Sequence, residues 1–347
     1  MTRPSLLAVA YLDPAQLERL ETAWRSRVLG EVRYGRRRRL LGTGPWPRAW
    51  IKATRLGGGP NGTEDLSEVW LASDPVADAT AQAIAYRCTD DLLFGVVSEE
   101  EWASAPDSVA PLHQAAERGY RRIFGLMDAL GYSHLARAWN YFADINREDQ
   151  GLERYRRFNA GRQDAFLAAG RSLIAGVPAA CALGVGGQPL TIAFLAARPS
   201  VVSIENPRQV SAYRYPPEYG PRSPTFARAT LARVGGQPIL FVSGTASIVG
   251  HETRHPGDPA AQTRETLANI QAVLDAANRV VEGPAFTLNQ TCLKVYLRHP
   301  AHLDPVRDVL AQVVGEPLSA VFLQAEICRA DLLVEIETTA GLSIIGP

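Results

Sequence analysis

Leu332-Leu333-Val334-Glu335-Ile336-Glu337, LLVEIE, is the stretch whose reading decides the fold of this 347-residue chain. Side chains alternate along a strand, so Leu332, Val334 and Ile336 are expected on one face and Leu333, Glu335 and Glu337 on the other. The apolar face needs a hydrophobic layer to pack on. The acidic face poses a question, because a buried carboxylate is costly unless it is paired, hydrogen-bonded or protonated. A protonated one is a proton donor near neutral pH, which makes Glu335 the first candidate for a general acid. The other reading is a half-exposed strand whose acids sit in water.

Outward from LLVEIE, the C-terminal half reads as sheet and helix in alternation. TFARATLARV (225–234) and PILFVSGTAS (238–247) form a hairpin-like pair around Gly235 and Gly236. A helix is predicted after Asp258, a good N-cap, with Pro259 in its first turn and Leu267, Ile270, Leu274 and Ala277 on its inner face. CLKVYLR (292–298) follows as a strand, Asp304 and Pro305 open a second helix, and SAVFLQAEIC (319–328) precedes LLVEIE. The N-terminal half has the same order. Strands SEVWLAS (67–73) and AIAYRCTDDLLFGVVS (83–98) lead to an amphipathic helix over Pro111–Leu130. LARAWNYF (135–142), a helix in LERYRRFNAGRQDAF (152–166), AACALGVG (179–186) and LTIAFLAA (190–197) complete it. The expected fold class is therefore α+β: two similar domains, residues 1–200 and 201–347, each a sheet with two helices on one face.

Residues 204–230, IENPRQVSAYRYPPEYGPRSPTFARAT, differ in kind. Five prolines stiffen the segment, while Tyr215, Tyr219, Arg222 and Arg228 supply phenols and forked cations suited to a carboxylate. The alternative is an interdomain strap whose arginines pair with Glu205 and Glu218. Composition narrows the classes further. Lys plus Arg and Asp plus Glu are both 36, so no net charge favours nucleic acid or an anionic membrane. The run Arg36–Arg39 reads as a solvated surface loop. No apolar run nears the roughly 20 residues of a membrane span, and Leu6–Leu12, closed by Asp13 and Pro14, reads as an opening strand rather than a signal peptide. Cys88, Cys181, Cys292 and Cys328 share no ligand spacing and read as reduced, packed thiols of a cytoplasmic protein. HETRH (251–255) matches a zinc-protease pattern, but Pro256 and Gly257 follow at once, so no metal is expected there. Apart from the opening strand, residues 1–60 yield no reading of their role.

Several motifs carry a family resemblance. LFVSG, Gly257, Asp258, Gln262, Leu267, Asn269, KVYL (294–297) and VEIE (334–337) resemble the YjgF-like reactive-intermediate deaminases. That family has a substrate-binding arginine in the penultimate strand, and SAVFLQAEIC has none, which counts against an imine deaminase. RAWNYFADIN (137–146), YRRFNAGRQDAF (155–166), IENPRQV, YRYPPEYGPRSPTFARAT, SGTASIVGHETRHPGD and CRADLLVEIE together resemble the chorismatases over residues 65–340.

That resemblance implies a YjgF-like C-terminal domain of chorismate-mutase-like fold and a YjgF-related N-terminal one. It implies chorismate as the small-molecule substrate, cleaved to pyruvate and 3-hydroxybenzoate, with some 4-hydroxybenzoate, and no cofactor. Glu335 would protonate the enolpyruvyl group. Arg222 and Arg228, with Arg162 as a third, would hold its two carboxylates, and Tyr215 and Tyr219 would bond the carboxylates or ring hydroxyl. Gly244 and Cys328 match the aromatising branch; the hydrolytic branch, releasing a dihydroxycyclohexadiene carboxylate, has alanine and no cysteine there. A glycine at 244 is expected to leave room for the Cys328 thiol as a proton relay. An imine deaminase and a non-catalytic aromatic-acid binder are the readings of other classes, and either a monomer or a trimer is compatible.

Overall fold

The computed structural model describes residues 7–19, 22–36, 45–58, 65–73, 76–81, 84–102 and 109–345. Two large sheets realise the expected α+β pattern. The first runs in the order Ala179–Gly184, His134–Phe142, Leu190–Ala197, Leu92–Glu99, Ile84–Cys88 and Ala77–Ala81. Helices Pro111–Leu130 and Arg154–Ala168 pack together over one of its faces, where Leu112, Tyr120, Ile123 and Met127 meet Ile192 and Phe194. The first helix stops at Gly131, whose φ of 74° suits the left-handed C-cap that glycine adopts at no steric cost.

The second sheet is ordered Val202–Ile204, Ala229–Val234, Gln237–Ala246, Val334–Ala340, Cys292–Leu297, Ala320–Gln324 and Arg55–Leu56. Helices Pro259–Asn278 and Leu303–Val314 cover it. Asp258 accepts a hydrogen bond from the Ala261 amide at 2.9 Å, the cap its sequence position foretold. Gly235 and Gly236 both have positive φ and turn the chain tightly between two antiparallel strands.

A third sheet is built largely from the segment whose role the sequence left unread, and it takes as its central strand SEVWLAS, expected in the first sheet. Its order is Ser343–Ile345, Leu7–Leu12, Leu66–Ala72, Val28–Tyr34 and Arg48–Ile51, so the two ends of the described chain pair in one sheet. The uncovered faces of all three sheets meet in a shared interior that holds Trp70, Trp139, Tyr141, Phe241 and Tyr296. Of the basic run, Arg37 to Arg39 lie outside the described residues.

Three local expectations need correction. Strand pairing in LLVEIE begins only at Val334, because the Leu333 amide donates to Gln262 Oε1 at 2.7 Å and Leu332 packs with Ala246, Ile248 and Ile327. SAVFLQAEIC leaves its sheet after Gln324; Glu326 bridges to Gly184 of the first sheet, which carries Cys328 out of the strand. The last long helix starts at Leu303, one residue before Asp304, on a 3-10 turn at Pro300–His302.

Candidate active site

Glu335 and Glu337 project from the same face of Val334–Ala340 into the shared interior, and each is only 3% exposed. Val334 and Ile336 take the opposite face, under the helices. Identical side chains two residues apart then diverge because their partners differ. Glu337 accepts from Arg137 Nη2, from Lys294 Nζ at 2.5 Å, from Trp139 Nε1 at 3.0 Å and from the Tyr296 hydroxyl at 3.2 Å. Burial alone would raise its pKa, but Lys294 and Arg137 overturn that and hold it below the usual carboxylate range. Glu335 has no such cations of its own. Burial, reinforced by the Glu337 charge and only partly opposed by Arg137, pushes its carboxyl up to about 8, so it carries its proton at neutral pH.

Glu335 forms part of the wall of a cavity of about 270 Å³ between the first and second sheets. The strap of prolines and tyrosines contributes Tyr215, Tyr219, Pro224, Phe226 and Arg228; the helix Arg154–Ala168 and the residue before it contribute Tyr155, Arg156 and Glu153. Gly244, Ala246 and Ile248 come from the strand beside Glu335 and just past it. Cys328 and Arg329 come from the segment after Gln324.

That segment is irregular, and two side chains fix it from behind. Arg298 donates to the carbonyls of Ile327, Arg329 and Leu332 at 3.0, 2.8 and 2.8 Å. Gln262 donates to the Asp331 carbonyl at 2.9 Å while accepting from Leu333. Five backbone groups that a strand would have satisfied are thus bonded, and the loop holds Cys328 and Arg329 toward the cavity.

Of the three arginines that line this space, Arg156 pairs with Glu153 at 3.4 Å, and the other two are held by neutral partners. Arg228 donates from Nη2 to the Tyr215 hydroxyl at 2.8 Å and to the Val210 carbonyl at 2.9 Å, and its buried Nε–H has no partner among the described residues. Arg329 donates from Nη1 to the His251 carbonyl at 2.8 Å and stacks 4.2 Å over the Tyr219 ring, while its buried Nη2 is likewise unpartnered among the described residues. Buried guanidinium N–H groups are rarely left without an acceptor, so both are placed for an anion. Burial pushes the Cys328 thiol up to about 12, aided by Glu335, so it is a neutral thiol and not a thiolate.

The placement of the expected residues is uneven. Glu335, Gly244, Cys328, Tyr215, Tyr219 and Arg228 share the cavity. Arg222 does not line it: it is 48% exposed, bonded to Gln163 at 3.1 Å and paired with Asp164 at 3.7 Å. Arg162 does not line it either. It is buried in its helix, donates to Asn159 at 3.0 Å and lies over the Phe158 ring. The expected reason for Gly244 is also corrected. A Cβ there would overlap Glu335 Oε1, stand 2.8 Å from its Cδ and 3.0 Å from Cys181 Cβ, so the glycine makes room for the acid rather than for the Cys328 thiol. Arg329 was overlooked although it follows Cys328 directly in CRADLLVEIE. HETRH contributes no shared helical face: Glu252–Thr253 pairs as a strand with Ile248–Val249, and His251 Nδ1 meets the Tyr219 hydroxyl at 3.2 Å.

The chain is similar to known proteins over most of its length. Residues 68–196 match the family described as Chorismatase FkbO/Hyg5-like, N-terminal. A chorismatase of Streptomyces rapamycinicus is 41% identical over 281 residues, 79% of this chain and 82% of that protein. A 3-hydroxybenzoate synthase of Streptomyces hygroscopicus is 38% identical over 285 residues, 79% of this chain and 81% of that one. A chorismatase crystal structure, 34% identical, superposes with a TM-score of 0.83 and covers 98% of this chain and 99% of its own. With sequence identity at this level over four-fifths of each relative and one fold along nearly the whole chain, the protein belongs to the chorismatase family.

Proposed function

We propose that the chain cleaves chorismate to pyruvate and 3-hydroxybenzoate, with Glu335 as general acid and Arg228 and Arg329 as carboxylate anchors. The observation that carries this reading is that one cavity brings together a protonated carboxyl and two arginines with unpartnered N–H groups. Chorismate is a dianion whose enol ether needs a proton on its methylene carbon. Glu335 supplies that proton, and the oxocarbenium ion forms beside the carboxylate left behind. The neighbouring ring hydroxyl then displaces pyruvate, its proton returns to Glu335, and the ring rearranges to the aromatic phenol. Every atom of the substrate reappears in the two products, so the reaction calls for no oxidant, reductant or added water. The 3-hydroxybenzoate synthase relative supports this outcome over hydrolysis. We assign the acid to the C-terminal half, 201–347, and most of the helix-side wall to residues 1–200. The four unpaired cysteines fit the cytoplasm. Three sheets closed by one chain around a common interior fit a monomer.

Incubation with chorismate is expected to give pyruvate and 3-hydroxybenzoate in equal amounts, read by a lactate-dehydrogenase-coupled assay and by chromatography. Binding without pyruvate release would sink the proposal. Two substitutions test the product-setting wall. Gly244→Ala forces the Glu335 carboxyl aside, and a displacement on that scale is expected to cost turnover on the order of 10²-fold and to admit water, so that the dihydroxy diene appears. Cys328→Ala is expected to leave chorismate consumption within about threefold while moving product toward the diene, because a neutral thiol is replaced by space for water. An unchanged product profile in Cys328→Ala would leave that thiol a packing group.

A further inference from the structure

Behind Glu335, in the interior where the three sheets meet, lie four buried ions that the proton transfer does not itself use. Lys294 Nζ is 2.5 Å from both Glu68 Oε2 and Glu337 Oε1, and Arg137 pairs with Glu337 on its other side. All four are at most 3% exposed. Tyrosine hydroxyls link them: Glu68 to Tyr34 at 3.1 Å, Tyr34 to Tyr141 at 3.0 Å, Tyr141 to Tyr296 at 3.0 Å, and Tyr296 to Glu337 at 3.2 Å. Two anions and two cations leave the cluster neutral. Each sheet supplies part of it: Glu68 from the N-terminal sheet, Arg137 from the first large sheet, Lys294 and Glu337 from the second.

We infer that this four-ion cluster is a positioning device that keeps the proton on Glu335, and that the N-terminal sheet takes part in catalysis through Glu68. Neutrality is the physical core of the inference. An extra positive charge in this buried interior would draw Glu335 toward ionisation, and Arg137 already has a buried Nη1–H, without a partner among the described residues, to which an ionised carboxylate could turn. Glu68 offsets Lys294, which leaves the Glu337 charge free to act against ionisation of its neighbour two residues away. The other groups around Glu335 do not replace this balance. Cys181 and Cys328 are neutral thiols, Tyr155 and Tyr296 are neutral phenols held so by burial, and Glu153 and Arg156 pair with each other at 3.4 Å at the rim. Arg228 and Arg329 face the cavity, where the substrate carboxylates would neutralise them.

The test rests on Glu335 acting as a proton donor, and reads the alkaline limb of kcat/KM for pyruvate release. Glu68→Gln adds one net positive charge to the cluster and is expected to move that limb down by about one pH unit. Arg137→Met removes one and is expected to move it up. The double variant Glu68→Gln/Lys294→Met restores neutrality and is expected to bring the limb back to within about 0.3 units of the native position. Limbs that stay fixed while rates fall evenly across pH, or a double variant as displaced as Glu68→Gln alone, would overturn the inference. Titration of the Glu335 carboxyl by carbon-13 NMR reads the same shifts without turnover. A native chain that releases no pyruvate therefore overturns the activity while leaving the charge test intact, and if Glu68→Gln does not fold, Arg137→Met and the double variant decide.

Discussion

Glu335→Gln is expected to reduce pyruvate release by about 10²- to 10⁴-fold, the range over which a positioned general acid accelerates proton transfer, with KM changed little. The amide matches the acid in size and fills the same space beside Gly244, so substrate should still bind between the arginines. What it lacks is the proton. The native enzyme should also lose activity as pH rises through about 8, where the carboxyl ionises, and the variant's residual rate should lack that limb. Stability should fall over the same pH range. The folded-state pKa of about 8 stands above the usual carboxyl value of 4.5, so the native state holds a proton that the unfolded chain has released across that interval. Stability associated with Glu335 is thus complete below about 4.5 and lost as pH rises through 8. Glutamine has no such loss. Thermal melts should show the variant more stable than the native chain above pH 8, by an amount on the order of a few kcal/mol, and level with it at pH 4.5. Retention of a tenth of native turnover, or an equal melting temperature at both pH values, would remove Glu335 from this role.

The contrast between Glu335 and Glu337 marks how far the sequence could be read. Alternation placed both acids on one face, and the structure buries both there. Glu335 was singled out as the acid, but what separates it from Glu337 was not legible, because the deciding cations, Arg137 and Lys294, arrive from other strands, 200 residues away in the case of Arg137. Long helices and their caps were readable for the opposite reason: the apolar spacing of Pro111–Leu130 and the Asp258 cap are fixed by neighbours within a few residues. The third sheet was invisible because Leu7–Leu12 pairs with Ser343–Ile345 across nearly the entire chain, and strands of like composition do not name their partners. Gly244 shows a mixed case. Its position was singled out correctly as a place needing space, but the occupant of that space was set by the register between Gln237–Ala246 and Val334–Ala340, which slips between Val242 and Thr245.

Arg329→Ala is expected to raise KM for chorismate by about 10- to 100-fold, and Arg228→Ala by a similar factor, whereas Arg222→Ala should stay within about threefold of the native enzyme. A charge-assisted hydrogen bond to a buried group contributes roughly 1.5–3 kcal/mol, which sets the first range. Arg222 is nearly half exposed and already paired with Asp164, so its removal disturbs only a solvent-screened contact. Arg228 and Arg329 differ in what else they hold. Arg228 also fixes Tyr215 and the Val210 carbonyl, so its loss should loosen the strap and lower kcat as well. Arg329 holds the His251 carbonyl and stacks on Tyr219, while the loop that carries it is pinned independently by Arg298 and Gln262; its loss should fall mainly on KM. Arg329→Lys separates charge from geometry: the ammonium keeps the attraction but lacks the planar fork, and is expected to recover part of the lost affinity and not all of it. Substrate titrations of the four variants measure this directly. The anchor assignment fails if Arg329→Ala binds chorismate as tightly as the native enzyme, or if Arg222→Ala proves the most damaging of the set, since either result would put the dianion outside the cavity that Glu335 faces.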